Sequence, residues 1–474
     1  MTIDERYQRA RDVLERHGQA HLLRFWDELD EVRRVVLLDQ IEELDWEQLD
    51  RWIETHVRGL GTTVIPPNPQ PAPYYPAVPG PEQRAAYDRA VQRGQQLLRA
   101  GRVGAFVVAG GQGTRLGFDG PKGNFPISPI RRKTLFAIFA EGLRAAARRY
   151  GHAVCWYVMT SPLNHRPTVA IFEQNDYFGL GRDNVFLFPQ GTLPSFDRRG
   201  RILLADKHRL CTNPDGHGGS LRALHRSGAL EHMRQRGIEV LSYWQVDNPL
   251  VRVLDPLFIG LHADAGAGMS SKALKKRDPL EKVGNFCLVD GRVTVIEYSD
   301  LTDEQAHRRN EDGSLVFELG SIGIHVLSRT FVERLGRGEL ELPIHRAEKK
   351  VAHLDEQGRR IEPDAPNGIK LEMFIFDALP LSQPSIILET IRGEEFAPVK
   401  NATGVDSPQV TRRMMIERAA AWVEAAGVDV PRREDGTPDC VIEIAPSFAL
   451  DAQDVRARRD QIPRIERGAQ VCLE

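Results

Sequence analysis

Cysteine is scarce: five residues in a chain of 474, namely Cys155, Cys211, Cys287, Cys440 and Cys472. They are scattered, odd in number and include no CxxC pair, so neither a disulfide framework nor a cysteine metal site is expected. They read as reduced thiols of a cytoplasmic protein, most of them small buried side chains. Long apolar runs are missing too, since nothing approaches the roughly 18 residues of a membrane span. The opening stretch, MTIDERYQRARDVLERHG, is charged, has helical spacing and lacks the apolar core of a signal peptide. Charge of one sign is also absent. The formal net charge is -3, which gives no support for nucleic acid or an acidic membrane as partner. No internal repeat is present.

The length suggests about three domains. Residues 1 to 60 alternate charged residues with Leu14, Leu22, Leu23, Phe25, Trp26, Val35, Leu37, Leu38, Ile41 and Leu44, a spacing that suits two or three amphipathic helices. Pro66, Pro67, Pro69, Pro71, Pro73, Pro76, Pro79 and Pro81 then form an extended strap that can be neither helix nor central strand. Tyr74 and Tyr75 offer it aromatic contacts, and a helix is expected over 81–99. The expected boundaries are a helical region with the strap at 1–98, a central domain at 99–398, and a small C-terminal domain at 399–474.

From 103 onward apolar strand-like runs alternate with helical ones, which predicts an α/β fold with a parallel sheet. Strands are expected at 103–109, 154–159, 185–188, 240–246, 286–289 with 293–298, and 322–326. Helices fit 134–150, 166–175, 220–227, 230–236 and 409–426. The run KLEMFIFDAL (370–379) is strand or buried helix, and periodicity does not decide between them. In open α/β sheets ligands sit beyond the carboxyl ends of the strands, which directs attention to 110–122, 160–162, 189–191 and 247–249.

The stretch GAFVVAGGQGTRLGFDGPK (104–122) is the richest of these. An apolar strand runs into Gly110, Gly111, Gly113 and Gly117, with Arg115 among them and Pro121-Lys122 at the close. Glycine at this density lets backbone approach a ligand and turns several N–H groups toward one anion. A Walker A loop would need Gly-Lys-Ser/Thr, and Gly113 is followed by Thr114-Arg115. A dinucleotide fingerprint would account for the glycines but not for Arg115 or the Pro-Lys pair. A plain glycine turn with surface cations would leave so many specified positions without a purpose.

Seven motifs in order resolve the choice: GGQGTRLG with PKG (110–123), PQGTLPSFD (189–197), PDGHGG (214–219), VDNPLVRVLDPLFIG (246–260), VIEYSD (295–300), PNGIKLEMFIFD (366–377) and FAPVKNA (396–402). Together they resemble the eukaryote-type UDP-sugar pyrophosphorylases, most of all the UDP-N-acetylhexosamine pyrophosphorylases. The resemblance covers about residues 105 to 402; the terminal segments match loosely. It implies a Rossmann-like, GT-A-like nucleotidyltransferase domain, with a mixed sheet and helices on both faces, between a helical N-terminal region and a small C-terminal domain. It also implies a reaction: UTP and a sugar 1-phosphate give a UDP-sugar and pyrophosphate, with Mg²⁺ as cofactor.

By the same resemblance Gly110, Gly111, Gly113 and Thr114 hold the nucleotide, and Arg115, Lys122 and Lys400 neutralise phosphate charge. Gln190 reads the uracil edge with an amide that donates and accepts. Gly216 lies in a loop whose N–H groups face the nucleotide. Asp247, a carboxylate at a strand end, is the metal ligand. On residue chemistry alone, Asp247 also suits a cap before Pro249, and Lys400 a solvated lysine. Gly284, Glu297, Phe374 and Phe376 match the sugar end, where both phenylalanines also suit plain core. Two positions depart from the pattern. His217 and Ser321 stand where N-acetylhexosamine members carry asparagine, and histidine at the first resembles the UDP-glucose branch. N-acetylglucosamine 1-phosphate is the expected sugar substrate, and glucose or galactose 1-phosphate is its near rival. A non-catalytic nucleotide-sugar binding protein and an NAD(P) dehydrogenase are rivals from different classes. Oligomeric state is left open by the sequence.

Overall fold

A computed structural model describes residues 1–59 and 69–474. Pro66 and Pro67 of the proline strap lie outside the described residues. The chain divides into two compact units, each assembled from separated segments: 1–64, 191–220 and 341–377 form the first, and 65–190, 221–340 and 378–474 the second.

The first unit opens with three helices, α1 (Ile3–Arg16), α2 (Glu31–Glu42) and α3 (Trp46–Trp52). Each starts on a side chain that accepts an otherwise unpaired backbone N–H: Thr2 in a capping box with Glu5, Asp30, and Asp45. With the 3-10 turn at Ala20–Leu23 they bury Leu14, Leu22, Leu37, Leu38 and Ile41 in one cluster with Phe196, Ile202, Ile369 and Leu371. The last four come from the inserted segments, which form short antiparallel ribbons, 192–194 with 212–214 and 345–349 with 368–372. The ambiguous 370–379 run is strand first and helical turn second. It stays extended to Glu372, then makes a 3-10 turn from Ile375.

The second unit is built on a ten-stranded mixed sheet. In chain order its strands are β1 (Gln70–Pro71), β2 (Val103–Val108), β3 (Trp156–Thr160), β4 (Val185–Pro189), β5 (Val240–Gln245), β6 (Met269–Lys275), β7 (Asn285–Val289), β8 (Arg292–Ile296), β9 (Leu319–Ser328) and β10 (Ile387–Glu389). Strands β5, β2, β3 and β4 are parallel neighbours in that order, as expected for strands joined through helices. The parallel strands expected from the alternation are four of the ten, and the sheet as a whole is mixed, as the resemblance implies. Strand β9 lies antiparallel to β5, and β6 and β7 lie antiparallel to β9.

Helices α4 (Arg84–Arg99) and α6 (Pro256–Asp264) approach unusually closely. A methyl group on Gly94 would fall 1.9 Å from the Pro256 carbonyl oxygen, and one on Gly260 would fall 1.7 Å from that of Ala90. Only glycine permits that contact. Helix α5 (Leu135–Tyr150) starts on the side chain of Thr134 and buries Phe136, Phe139 and Leu143. Helix α7 (Pro408–Ala425) leads into a satellite core of Trp422, Val423, Ile442, Phe448 and Leu473.

Strand β6, MSSKALK, is not among the strands expected from the sequence, since Ser270, Ser271 and Lys272 interrupt any apolar run. All three are buried. Ser270 bonds His262 at 2.8 Å and Ser271 bonds His325 at 2.8 Å. Lys272 Nζ donates to Asp255 at 2.5 Å and to both Glu395 oxygens at 2.7 and 2.6 Å. Buried polar groups persist when each finds a partner, and these partners are distant in sequence. Among the described residues no helix is long and apolar enough to cross a membrane.

Candidate functional site

After β2 the glycine stretch turns back on itself. The Gly113 N–H donates to the Gly120 carbonyl at 2.9 Å and the Lys122 N–H to the Gly111 carbonyl at 3.1 Å. Thr114–Leu116 make a single 3-10 turn closed by Gly117 at φ +66°, a left-handed conformation that glycine adopts without cost. Lys122 thus returns beneath Gly111. Gly123 must be glycine, because a methyl group would fall 2.1 Å from the Phe136 ring.

The loop is braced from the end of β3. Asn164 donates to the carbonyls of Ala109 and Gly111 at 2.9 and 3.2 Å, and its own carbonyl accepts from the Ser161 N–H at 2.8 Å. Gln190, beyond β4, is buried, and its N–H donates to the Thr160 carbonyl at 2.8 Å. Its side-chain amide lies against Gly110. Nothing in the sequence marked Asn164, which lies beyond the strand-end residues 160–162.

Lys122 and Asp247 are both buried, with Nζ 4.0 Å from Oδ2. Burial pushes the Lys122 ammonium below its ordinary pKa, Asp247 opposes the shift, and the positive charges of Arg115 and Lys400 add to it. Asp247, Arg115 and Lys400 therefore all act on Lys122 near the end of β5. Arg115 and Thr114 are exposed. Asp247 is tied to the Lys400 segment by its own backbone, for its carbonyl accepts the Val399 N–H at 2.8 Å. Asn248 completes a clamp, donating to the Glu395 carbonyl at 2.7 Å and accepting from the Ala397 N–H at 3.1 Å. Sequence reasoning passed over Asn248, although its place beside Asp247 in VDNP was a signal. Lys400 follows directly, its ammonium 4.0 Å from Asp406 and 5.9 Å from the centre of the Phe396 ring.

Gly284, Glu297 and Ser321 also meet in the second unit. The Ser321 N–H donates to the Gly284 carbonyl at 2.7 Å. A methyl group on Gly284 would fall 2.5 Å from Val295 and 3.4 Å from Glu297 Oε1.

Gly216, His217, Phe374 and Phe376 gather in the first unit. Gly216 has φ +83°, and a methyl group there would fall 2.3 Å from the Met373 carbonyl oxygen. The His217 ring stacks on Phe374 with centroids 5.3 Å apart and lies 5.7 Å from Phe376. Its Nδ1 accepts the Ile375 N–H at 3.0 Å, which leaves the proton of the neutral ring on Nε2, as a donor. Enclosure by these rings, with the nearby charge of His345, pulls its pKa down to about 4. His345 lies 4.4 Å from Phe374 between centroids and 2.8 Å from the Asp377 carboxylate, a pair that sequence reasoning did not single out.

A family model described as UTP--glucose-1-phosphate uridylyltransferase matches residues 81–473. The chain is 37% identical to UDP-N-acetylhexosamine pyrophosphorylase-like protein 1 of Xenopus tropicalis, over 91% of this chain and 90% of that protein. It is 37% identical to UDP-N-acetylglucosamine diphosphorylase 2 of Arabidopsis thaliana, over 87% of this chain and 84% of that one. The crystal structure of the uridine diphosphate N-acetylglucosamine pyrophosphorylase from Trypanosoma brucei superposes with a TM-score of 0.82 at 26% identity, covering 100% of this chain and 98% of that chain.

Proposed function

The chain belongs to the UTP--glucose-1-phosphate uridylyltransferase family, and we propose that it joins UTP to N-acetylglucosamine 1-phosphate. A phosphate oxygen of the sugar 1-phosphate attacks the α-phosphorus of UTP in line. The bond from that phosphorus to the oxygen bridging it to the β-phosphate breaks, and pyrophosphate leaves with the electron pair. Such a reaction needs positioned reactants and cations where charge builds up, rather than covalent help. The observation that carries the reading is the buried Lys122–Asp247 pair, with Lys400 and Arg115 in electrostatic range, at the carboxyl end of β5.

Lys122 and Lys400 take the α-phosphate and the leaving pyrophosphate, with Arg115 as the exposed outer cation. Gly110, Gly111 and Thr114 supply backbone N–H groups, Gly113 lets the loop backbone come close while its own N–H closes on Gly120, Gln190 reads the uracil edge, and Gly216 approaches the nucleotide by its backbone. Gly284, Glu297 and Ser321 take sugar hydroxyls, and His217, Phe374 and Phe376 the N-acetyl group. Among the described residues no three histidines, cysteines or carboxylates gather into a metal cage. Mg²⁺ shared with phosphates needs only one or two protein carboxylates, so a single buried Asp247 fits it. Bound there, the ion would offset charge on the phosphates. A cytoplasmic setting belongs to the same proposal, supported by five unpaired cysteines of which four are buried.

His217 and Ser321 favour a second reading, glucose or galactose 1-phosphate as the substrate. Pyrophosphate release from UTP and Mg²⁺ against glucose, galactose, N-acetylglucosamine and N-acetylgalactosamine 1-phosphates decides between them. Preference for the N-acetylated pair is expected. Preference for the plain hexoses would move the chain to the second reading, and silence with UTP bound would leave a binding protein.

A further inference from the structure

Two lysine–carboxylate pairs stand near the end of β5. Lys122 stands 4.0 Å from Asp247, and Lys400 stands 4.0 Å from Asp406. The two ammonium groups repel each other, as the downward pull of Lys400 on Lys122 records. Lys122 is fixed by burial, but the Lys400 side chain is 38% exposed. A lysine so exposed loses rotamer entropy when held still. Something must hold it near a like charge.

Asp406 is built to do so. It is a non-glycine residue at φ +58°, a conformation that costs energy and persists only where its surroundings enforce it. The enforcement is visible. The Asp406 carbonyl accepts the N–H groups of Lys400 and Asn401 at 2.7 and 3.2 Å, and the Asn401 amide donates to the Val405 carbonyl at 2.9 Å. Ser407, the next residue, caps α7. The turn that carries Lys400 therefore closes on Asp406, which is anchored to a helix start. Burial and the like charge of Asp247 push the Asp406 carboxyl up, while Lys400, Arg277 and Arg392 oppose the shift, so its charge is shared among three cations.

We propose that Asp406 is a positioning residue that holds the Lys400 ammonium toward Lys122, against their repulsion, before the triphosphate arrives. This rests on the reading of Lys400 as a phosphate-binding cation.

The test is a double-mutant cycle on the full chain with UTP, Mg²⁺ and the preferred sugar 1-phosphate. Asparagine tolerates positive φ as well as aspartate does and keeps the carbonyl bonds, so Asp406→Asn removes charge and little else. It should lower kcat about tenfold and leave the KM for the sugar 1-phosphate within about twofold. Lys400→Met should lower kcat about a hundredfold, and adding Asp406→Asn to it should cost nothing more. An impaired Lys400→Met enzyme beside a fully active Asp406→Asn enzyme would overturn this inference alone. An equal further loss in the double variant would do the same, since Asp406 would then act by another route. An unimpaired Lys400→Met enzyme would instead remove Lys400 from the proposed reaction, and this inference with it.

Discussion

Gly110 and Gln190 are matched by a missing methyl group: a side chain begun at Gly110 would sit 2.8 Å from Gln190 Oε1. Gly110→Ala therefore displaces the amide proposed to read uracil. The flexible side chain can move, so the effect falls on binding rather than on folding. A rise of about tenfold in the KM for UTP is expected, with a smaller change in kcat. Gln190→Ala is the comparison, since it removes the same amide and leaves Gly110 as it is. An unchanged KM for UTP in Gln190→Ala, measured by steady-state kinetics, would count against Gln190.

Asp247→Asn keeps the shape of the strand end and removes its charge. If the carboxylate holds the metal and balances Lys122, turnover should fall at least about a hundredfold. Activity close to that of the parent at saturating Mg²⁺ would remove Asp247 from the mechanism.

The buried triad of Lys272, Asp255 and Glu395 makes a prediction about stability. Lys272→Met leaves two buried carboxylates without their cation, at a cost of about 3–5 kcal/mol in urea unfolding. A loss under about 1 kcal/mol would mean that the carboxylates are re-paired or neutralised without difficulty.

His217 gives a pH signature. Its pKa is about 4 in the fold against 6.5 ordinarily, so between those values the unfolded chain binds a proton that the native state refuses. Stability is therefore full above 6.5 and declines as the pH falls toward 4. Replacing the imidazole in His217→Asn should recover about 1–2 kcal/mol of the loss between pH 7 and pH 5. His262, pushed down to about 3 by burial, titrates in both proteins and cancels. Parallel denaturation midpoints for the two proteins at pH 7 and pH 5 would refute the assignment.

The parallel strands were legible because each is a mostly apolar run rich in β-formers, as VLSYWQVD is before it ends on Asp247. The glycine loop was legible because few other tasks need Gly, Arg, Pro and Lys at those spacings. Strand β6 was not, since Lys272 looks solvated until Asp255 and Glu395 arrive from far along the chain. Asn164, Asn248 and Asp406 escaped notice for the same reason: their value lies in backbone groups that only the folded chain brings near. No shift in composition at 190/191 or 340/341 marks where the chain passes from one unit to the other.

The shared core of Leu14, Leu37 and Ile41 with Phe196 and Ile369 has a consequence for biosynthesis. At translation rates of about 5–20 residues per second, the ribosome adds Ile369 roughly 15 to 60 seconds after the N-terminal helices are complete. For that interval the nascent helices present an apolar stripe whose cover is incomplete. A chain released early, before residue 341, would lack Ile369 and Leu371 and offer the part they cover to chaperones, to proteases or to its own copies.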